Sequence, residues 1–331
     1  MTVFRIFPLI FLLVVCQQAG ANDPLPLRMG VLKFGTVNWE LDVIKHHGLD
    51  KKHGIDLQIV PLGGKNATHV ALQGGSADVI VSDWIWVTRQ RARGRDYSFS
   101  PYSNAVGSLM VNSERNIHSL ADLQDRRLGV AGGPLDKTWL LLRAYSRRTL
   151  GKDLAEIARP NFAAPPLLNK LALRGEMDAA INFWHYAARL KAAGFKALIT
   201  LPDILDELGA QQRIPLIGWV FSEQWATSNN QAITGLLKAS REAKRILLES
   251  DAEWNRLRGQ MKADNDAIFI ALRDGFREGI PQCFGDAETD AAAETFDILA
   301  QVGGAELAGR SERLSSGTFW PGFKWEPCEG S

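Results

Sequence analysis

The run at residues 119–151, SLADLQDRRLGVAGGPLDKTWLLLRAYSRRTLG, narrows what this chain can build more than any other stretch. Leu128, Val130 and Ala131 make a short apolar strand after the polar QDRR, and Gly132-Gly133-Pro134 stops it. Asp136 is placed to cap a following helix, in which Trp139, Leu140, Leu142 and Leu150 form a mostly apolar surface. The first N–H groups of such a helix have no partner within it, so they face out of the glycine turn at whatever sits there. Strand, glycine turn and helix start together make a small-molecule cradle; a Gly-Gly turn alone is weak evidence.

The rest of the chain repeats the alternation. Residues 27–33 read as an apolar strand, 38–54 as a helix that Thr36 or Asn38 caps, and 55–61 as a second, alternating strand. Residues 65–74 suit a helix, 77–81 a continuously apolar strand, and Ser82-Asp83-Trp84 the start of another helix. Residues 97–101 return toward the sheet and 106–111 form a strand. A second unit follows, with strands near Leu128 and at 179–181, helices to Leu150 and over 166–174, a strand at 214–221 and mainly helix from 231 to 308. Strands alternating with helices predict α/β architecture with mainly parallel sheets. At 331 residues the chain fills two lobes. We expect lobe 1 to comprise residues 22–105 and 214–331 and lobe 2 residues 106–213, with crossings near 102–106 and 212–216.

Arg5 precedes an apolar run at residues 6–15, and Ala19-Gly20-Ala21 offers a small-x-small cleavage site. This predicts a signal peptide over residues 1–21 and a secreted chain. The apolar run is about half the length a bilayer span requires. Cys16 raises a lipid anchor as the alternative, but Val15 ahead of it is bulkier than the small residue usual there. Lysine and arginine number 38 and acids 37; residues 1–21 hold Arg5 and no acid, so the two signs balance in the mature chain. That balance gives no reason to expect nucleic acid or an anionic membrane as partner. Removing the signal leaves Cys283 and Cys328, a possible disulfide in an oxidising compartment. No CxxC, Cys/His cluster, GxSxG, HExxH, P-loop or dinucleotide fingerprint is present.

Four segments carry a resemblance: VNWELDVIKHHGLDKKHGIDLQIV at 37–60, GGSADVIVSDW at 74–84, SLADLQDRRLGVAGG at 119–133 and LALRGEMDAAINFWHY at 171–186. In their order and spacing they resemble ABC-transporter periplasmic solute-binding proteins of the nitrate/sulfonate/taurine, thiamine-precursor-like class. The resemblance implies a two-lobed periplasmic-binding-protein fold of type II. It also implies a periplasmic, monomeric protein that closes over a small solute, docks on an inner-membrane permease, and has no catalytic residue or cofactor. A periplasmic sensor with the same cleft is a further reading. The matching ligand positions are Thr36, Asn38 and Trp39; Ser82, Asp83 and Trp84; Gly133, Asp136, Lys137 and Thr138; and Asn182, Trp184 and His185. At least two of Trp39, Trp84 and Trp184 are expected to face the cleft.

Asp83 and Asp136 leave the ligand's sign open. As contacts they favour a cation; as helix caps they leave N-termini that favour an anion. The catalytic relatives of this fold are pyrimidine-precursor synthases that hold pyridoxal phosphate on a lysine, with a histidine, after the third strand. Here Ser82 and Trp86 stand at those places, although Lys65 and His69 lie one helical turn apart nearby. His46, His47 and His53 sit in a lysine-rich stretch whose spacing sets no three ligands on one face, so no metal is expected. Arg89, Arg91, Arg93 and Arg95 read as a solvated helix end or, alternatively, a permease contact.

Overall fold

The computed structural model describes residues 23–210 and 214–326. The predicted signal peptide, Cys16, Gln212 and Cys328 lie outside them.

The first sheet is built from β1 (Leu25–Leu32), β2 (Ile55–Leu62), β3 (Val79–Asp83), β4 (Tyr97–Ser103) and one later strand. Between them run α1 (Val37–His46), α2 (Leu49–Lys52), α3 (Lys65–Gln73) and α4 (Trp84–Arg91). The second sheet comprises β5 (Ser108–Asn112), β6 (Arg127–Ala131), β7 (Arg159–Ala163), β8 (Ala179–Asn182) and β9 (Phe195–Thr200). Its helices are α5 (Lys137–Leu150), α6 (Leu154–Ile157), α7 (Pro165–Leu173), α8 (Trp184–Ala192) and α9 (Leu201–Glu207). β10 (Ile217–Ser222) returns to the first sheet and is followed by α10 (Glu223–Ser228), α11 (Asn230–Glu249), α12 (Asp251–Met261), α13 (Asp266–Glu278) and α14 (Asp286–Ala308).

The sheet orders are β2-β1-β3-β10-β4 and β7-β6-β8-β5-β9. Both are mixed, with four strands running one way and a single strand opposed. β10 runs antiparallel to β3 and β4, and β5 antiparallel to β8 and β9. The opposed strand in each case is the first one after a crossing between lobes, so the chain enters each sheet from the cleft side and against its direction. Gly107, at the first crossing, runs so close to β8 that a Cβ there would sit 1.9 Å from the Asn182 carbonyl oxygen.

Leu27, Met29 and Val31 alternate into the core of the first lobe, as period-2 spacing requires. α11 covers them with Ile233, Leu236, Leu237 and Leu247 along one helical face. Arg28, on the other face of β1, binds Asp78 through its own N–H at 2.8 Å and its guanidinium at 2.6 Å. The C-terminal helices do not stay with one sheet: α13 packs on α8 of the second lobe, and α14 packs on both α5 and α4. An Arg143–Glu306 ion pair at 2.6 Å ties α5 to α14. Cys283 is disulfide-bonded, and the Phe284 N–H donates to the Glu326 carbonyl at 3.1 Å, which lays the tail beside it. Among the described residues no helix is long and apolar enough to cross a membrane.

Candidate functional site

Where β1, β3, β6 and β8 end, the helices α1, α4, α5 and α8 begin, and these four turns enclose a cavity of about 140 Å³ between the sheets. That is close to the roughly 150 Å³ apolar cavity that holds benzene. Open α/β sheets bind ligands at such strand ends because free backbone donors converge there.

One end of the cavity is charged. Asp83 caps α4, accepting from the Trp86 N–H at 2.8 Å, and its second oxygen takes the Lys65 ammonium at 3.0 Å. Asp136 caps α5 through the Thr138 N–H at 2.9 Å and lies 3.8 Å from the same ammonium. Gly132 makes room for this: its φ is +86°, and a Cβ there would meet the Asp136 carboxylate at 2.8 Å. Burial would push the Asp83 carboxyl up, but Lys65, Lys137 and the Trp86 N–H outweigh it and hold the group well below the ordinary range. Burial works against the Lys65 ammonium too, yet Asp83 and Asp136 keep its pKa raised. For Lys137 burial prevails, aided by repulsion from Lys65, and its pKa falls. Lys137 lines the cavity without a hydrogen-bond or ion-pair partner among the described residues.

The other end is apolar and aromatic. Val37, Phe183, Trp184 and His185 line it. Neither Thr36 ahead of α1 nor Phe183 ahead of α8 caps its helix with a side chain. His185 is buried and neither ring nitrogen has a hydrogen-bond partner among the described residues. Burial, with the Arg189 charge, pushes its pKa down to about 3; the Phe34 backbone favours the cation slightly but is not in hydrogen-bonding geometry.

Of the positions expected from sequence, Thr36, Ser82, Asp83, Asp136, Lys137, Thr138, Asn182, Trp184 and His185 line the cavity. Four do not. Asn38 is spent bracing the turn, its amide donating to the carbonyls of Leu32 at 2.8 Å and Gly35 at 2.7 Å. Trp39 is 5 % exposed and packs edge-on against Trp254 and Trp184. Trp84 is fully buried against Phe296 and Phe319. Gly133 supplies turn geometry, with φ +91°, and no wall. One tryptophan of three, Trp184, therefore faces the cleft. Asp83 and Asp136 are at once caps and cavity wall, and the two lysines beside them, Lys65 and Lys137, balance their two charges.

Lys65 is the site residue missing from the four candidate turns, because it begins α3 in the turn after β2, a fifth strand end, and reaches Asp83 from there. Its helical neighbour His69 bonds the Ser82 hydroxyl at 2.9 Å and stacks on Trp86 at 4.1 Å. Burial, then Lys65, pushes His69 down to about 4. A metal group also escaped the sequence spacing: His46 and His47 are joined by Glu253 of α12, one ligand atom each within 4.8 Å of one another. Glu253 already takes Arg256 at 2.6 Å, and we assign no metal there.

The NMT1/THI5-like family model matches residues 43–253. No curated protein sequence matches significantly. Among solved structures, the alkanesulfonate-binding protein SsuA from Xanthomonas axonopodis pv. citri, bound to MOPS, is similar over 90 % of this chain and 99 % of its own, with TM-score 0.68 and 19 % identity. The periplasmic aliphatic sulphonate binding protein SsuA of Escherichia coli is similar over 93 % of this chain and 95 % of its own, with TM-score 0.67 and 18 % identity. An ABC transporter protein from Parabacteroides distasonis covers 90 % of this chain at TM-score 0.61 and 14 % identity, over 99 % of its own length. These likenesses establish the two-lobed periplasmic-binding-protein fold, and the match across most of the chain establishes its family: this protein belongs to the NMT1/THI5-like family.

Proposed function

We propose that the protein is the periplasmic solute-binding subunit of an ABC importer, that it holds a small organic solute with one anionic end between its lobes, and that it passes the solute to an inner-membrane permease. The observation that carries this reading is Lys137, without a hydrogen-bond or ion-pair partner among the described residues, at the charged end of a cavity whose other end is apolar. Lys65 is bonded to Asp83 and lies beside Asp136, whereas Lys137 feels both carboxylates without bonding either, so its N–H donors are the ones open to a ligand. The names of the two sulfonate-binding relatives describe ligands of this chemistry; at their low identity they serve as analogy only. The signal-peptide pattern of residues 1–21 supports secretion.

A second reading is a pyrimidine-precursor-synthase-like enzyme, favoured by Lys65 and His69 reaching the same wall. A lysine that attacks a carbonyl must be neutral, and Lys65 is held as the ammonium by two carboxylates. Binding without bond-making is therefore the function we adopt.

A thermal-shift panel on the chain from Asn22 onward tests it, with alkanesulfonates, carboxylates, nitrate, pyrimidines, amines and pyridoxal phosphate. A ligand at a hundred times its dissociation constant adds about 2.7 kcal/mol of stability. Sulfonates or carboxylates are expected to shift the melt. Amines alone would overturn the anionic assignment, and an imine absorbance with pyridoxal phosphate, lost in Lys65→Arg, would establish the enzyme reading instead.

A further inference from the structure

Behind the wall formed by Lys65, Asp83 and Lys137 lies a second cavity of about 180 Å³. It is bounded by α3 and α4 from the first lobe, the start of α5 from the second, and Leu307 of α14. Four cations line it, Lys65, Arg89, Arg93 and Lys137, against one carboxylate, Asp83. One Asp83 oxygen accepts from Trp86 and the other from Lys65, and no hydrogen bond joins Asp83 to Arg89 or Arg93. Arg89 and Arg93, four residues apart, have no hydrogen-bond or ion-pair partner among the described residues, and the Arg89 Nε is fully buried without an acceptor. His69, also on the wall, is kept neutral by its burial and adds no charge. Burial lowers the Arg89 pKa further than Asp83 restores it.

A buried guanidinium N–H without an acceptor is costly, and an oxyanion seated against Arg89 Nε would satisfy it. A guanidinium fork is the side chain best matched to an oxyanion. We propose that this second cavity is an oxyanion site, binding a phosphate- or sulfate-sized group between Arg89 and Arg93 of the first lobe and Lys137 of the second. Such an anion touches both lobes and so favours the arrangement in which they are together. It shares the wall of Lys65, Asp83 and Lys137 with the cleft and differs from it in Arg89 and Arg93, which do not line the first cavity.

Calorimetric titration of the whole mature protein with inorganic phosphate, against chloride at the same ionic strength, tests the site. The expected result is one phosphate per protein, with affinity falling at least tenfold in both Arg89→Gln and Arg93→Gln. Arg93 is exposed, so its substitution reads the site even if Arg89→Gln fails to fold. Repeating the titration in saturating MOPS separates the sources: unchanged affinity marks a site for the free ion, and displacement marks a place for the anionic end of a cleft ligand. Phosphate heat no greater than that of chloride, or unchanged affinity in Arg93→Gln, overturns the proposal. Because neither arginine lines the cleft, that failure leaves the cleft's function standing.

Discussion

Ahead of β3, Asp78 takes the N–H and guanidinium of Arg28; ahead of β8, Asp178 takes the N–H of Arg127 at 2.9 Å and its guanidinium at 3.3 Å. Both strands then run to the same kind of end, Val81-Ser82-Asp83-Trp84 in one lobe and Ile181-Asn182-Phe183-Trp184 in the other. There the lobes part. Asp83 supplies the capping oxygen that fixes the start of α4, and Trp84 turns into the core. Phe183 has no such oxygen, α8 starts uncapped, and Trp184 turns to the cleft and meets Trp39 edge-on at 6.1 Å. The charged turns after β3 and β6 face each other through Lys65, and the apolar turns after β1 and β8 face each other through Trp39 and Trp184. The cleft is therefore polarised from end to end, with both lobes contributing to each end, and that suits a solute whose two ends differ.

The largest effect that breaks the comparison is on the paired tryptophans. Trp84→Ala leaves a core cavity and should cost about 3–5 kcal/mol in denaturant unfolding. Trp184→Ala should cost far less stability but weaken binding of an identified ligand by about 1 kcal/mol or more. Equal stability losses would mean that the two positions are not divided between core and cleft.

The shared lock comes next. Asp78→Ala and Asp178→Ala each remove charge-assisted hydrogen bonds and should each cost about 2–3 kcal/mol in the same measurement. A loss confined to one lobe would show that the two locks are not equivalent.

A third prediction concerns pH. His185 and His69 have folded pKa values depressed to about 3 and about 4, below the roughly 6.5 of the unfolded chain. Below pH ~6.5 the unfolded state takes up those protons first. Their contribution is thus fully present above that pH and is lost as pH falls, by about 1.4 kcal/mol per unit for each histidine. His185→Leu should flatten the slope of stability between about pH 4.5 and 6, measured by urea midpoints at fixed ionic strength. An unchanged slope would mean that this imidazole is not held neutral.

Much of the fold can be read from sequence where burial leaves a pattern. β1 and β3 carry continuous or alternating apolar residues because they lie inside the sheet, and α11 shows a clean apolar face. β7 and β9 show no such pattern. They are edge strands, each paired on one side only, and β7 is largely exposed and carries Pro160, which an edge tolerates. The turns that form the site were legible from their strand ends. Which way a tryptophan turns at a helix start was not, since the choice between Trp84 and Trp184 follows from the capping oxygen of Asp83 and from partners such as Phe296, more than two hundred residues away. The role of Arg89 and Arg93 was hidden in the same way: a basic run at a helix end reads as solvated until α5 and α14 close over it.

The polarised cleft is tested most directly by titrating the mature protein with 1-butanesulfonate and 1-butylamine, which share one alkyl chain and differ in the sign of the head. The account predicts that the sulfonate binds at least tenfold more tightly and that Lys137→Gln removes most of that preference. An amine that binds as well as the sulfonate, or a preference that survives Lys137→Gln intact, would contradict it.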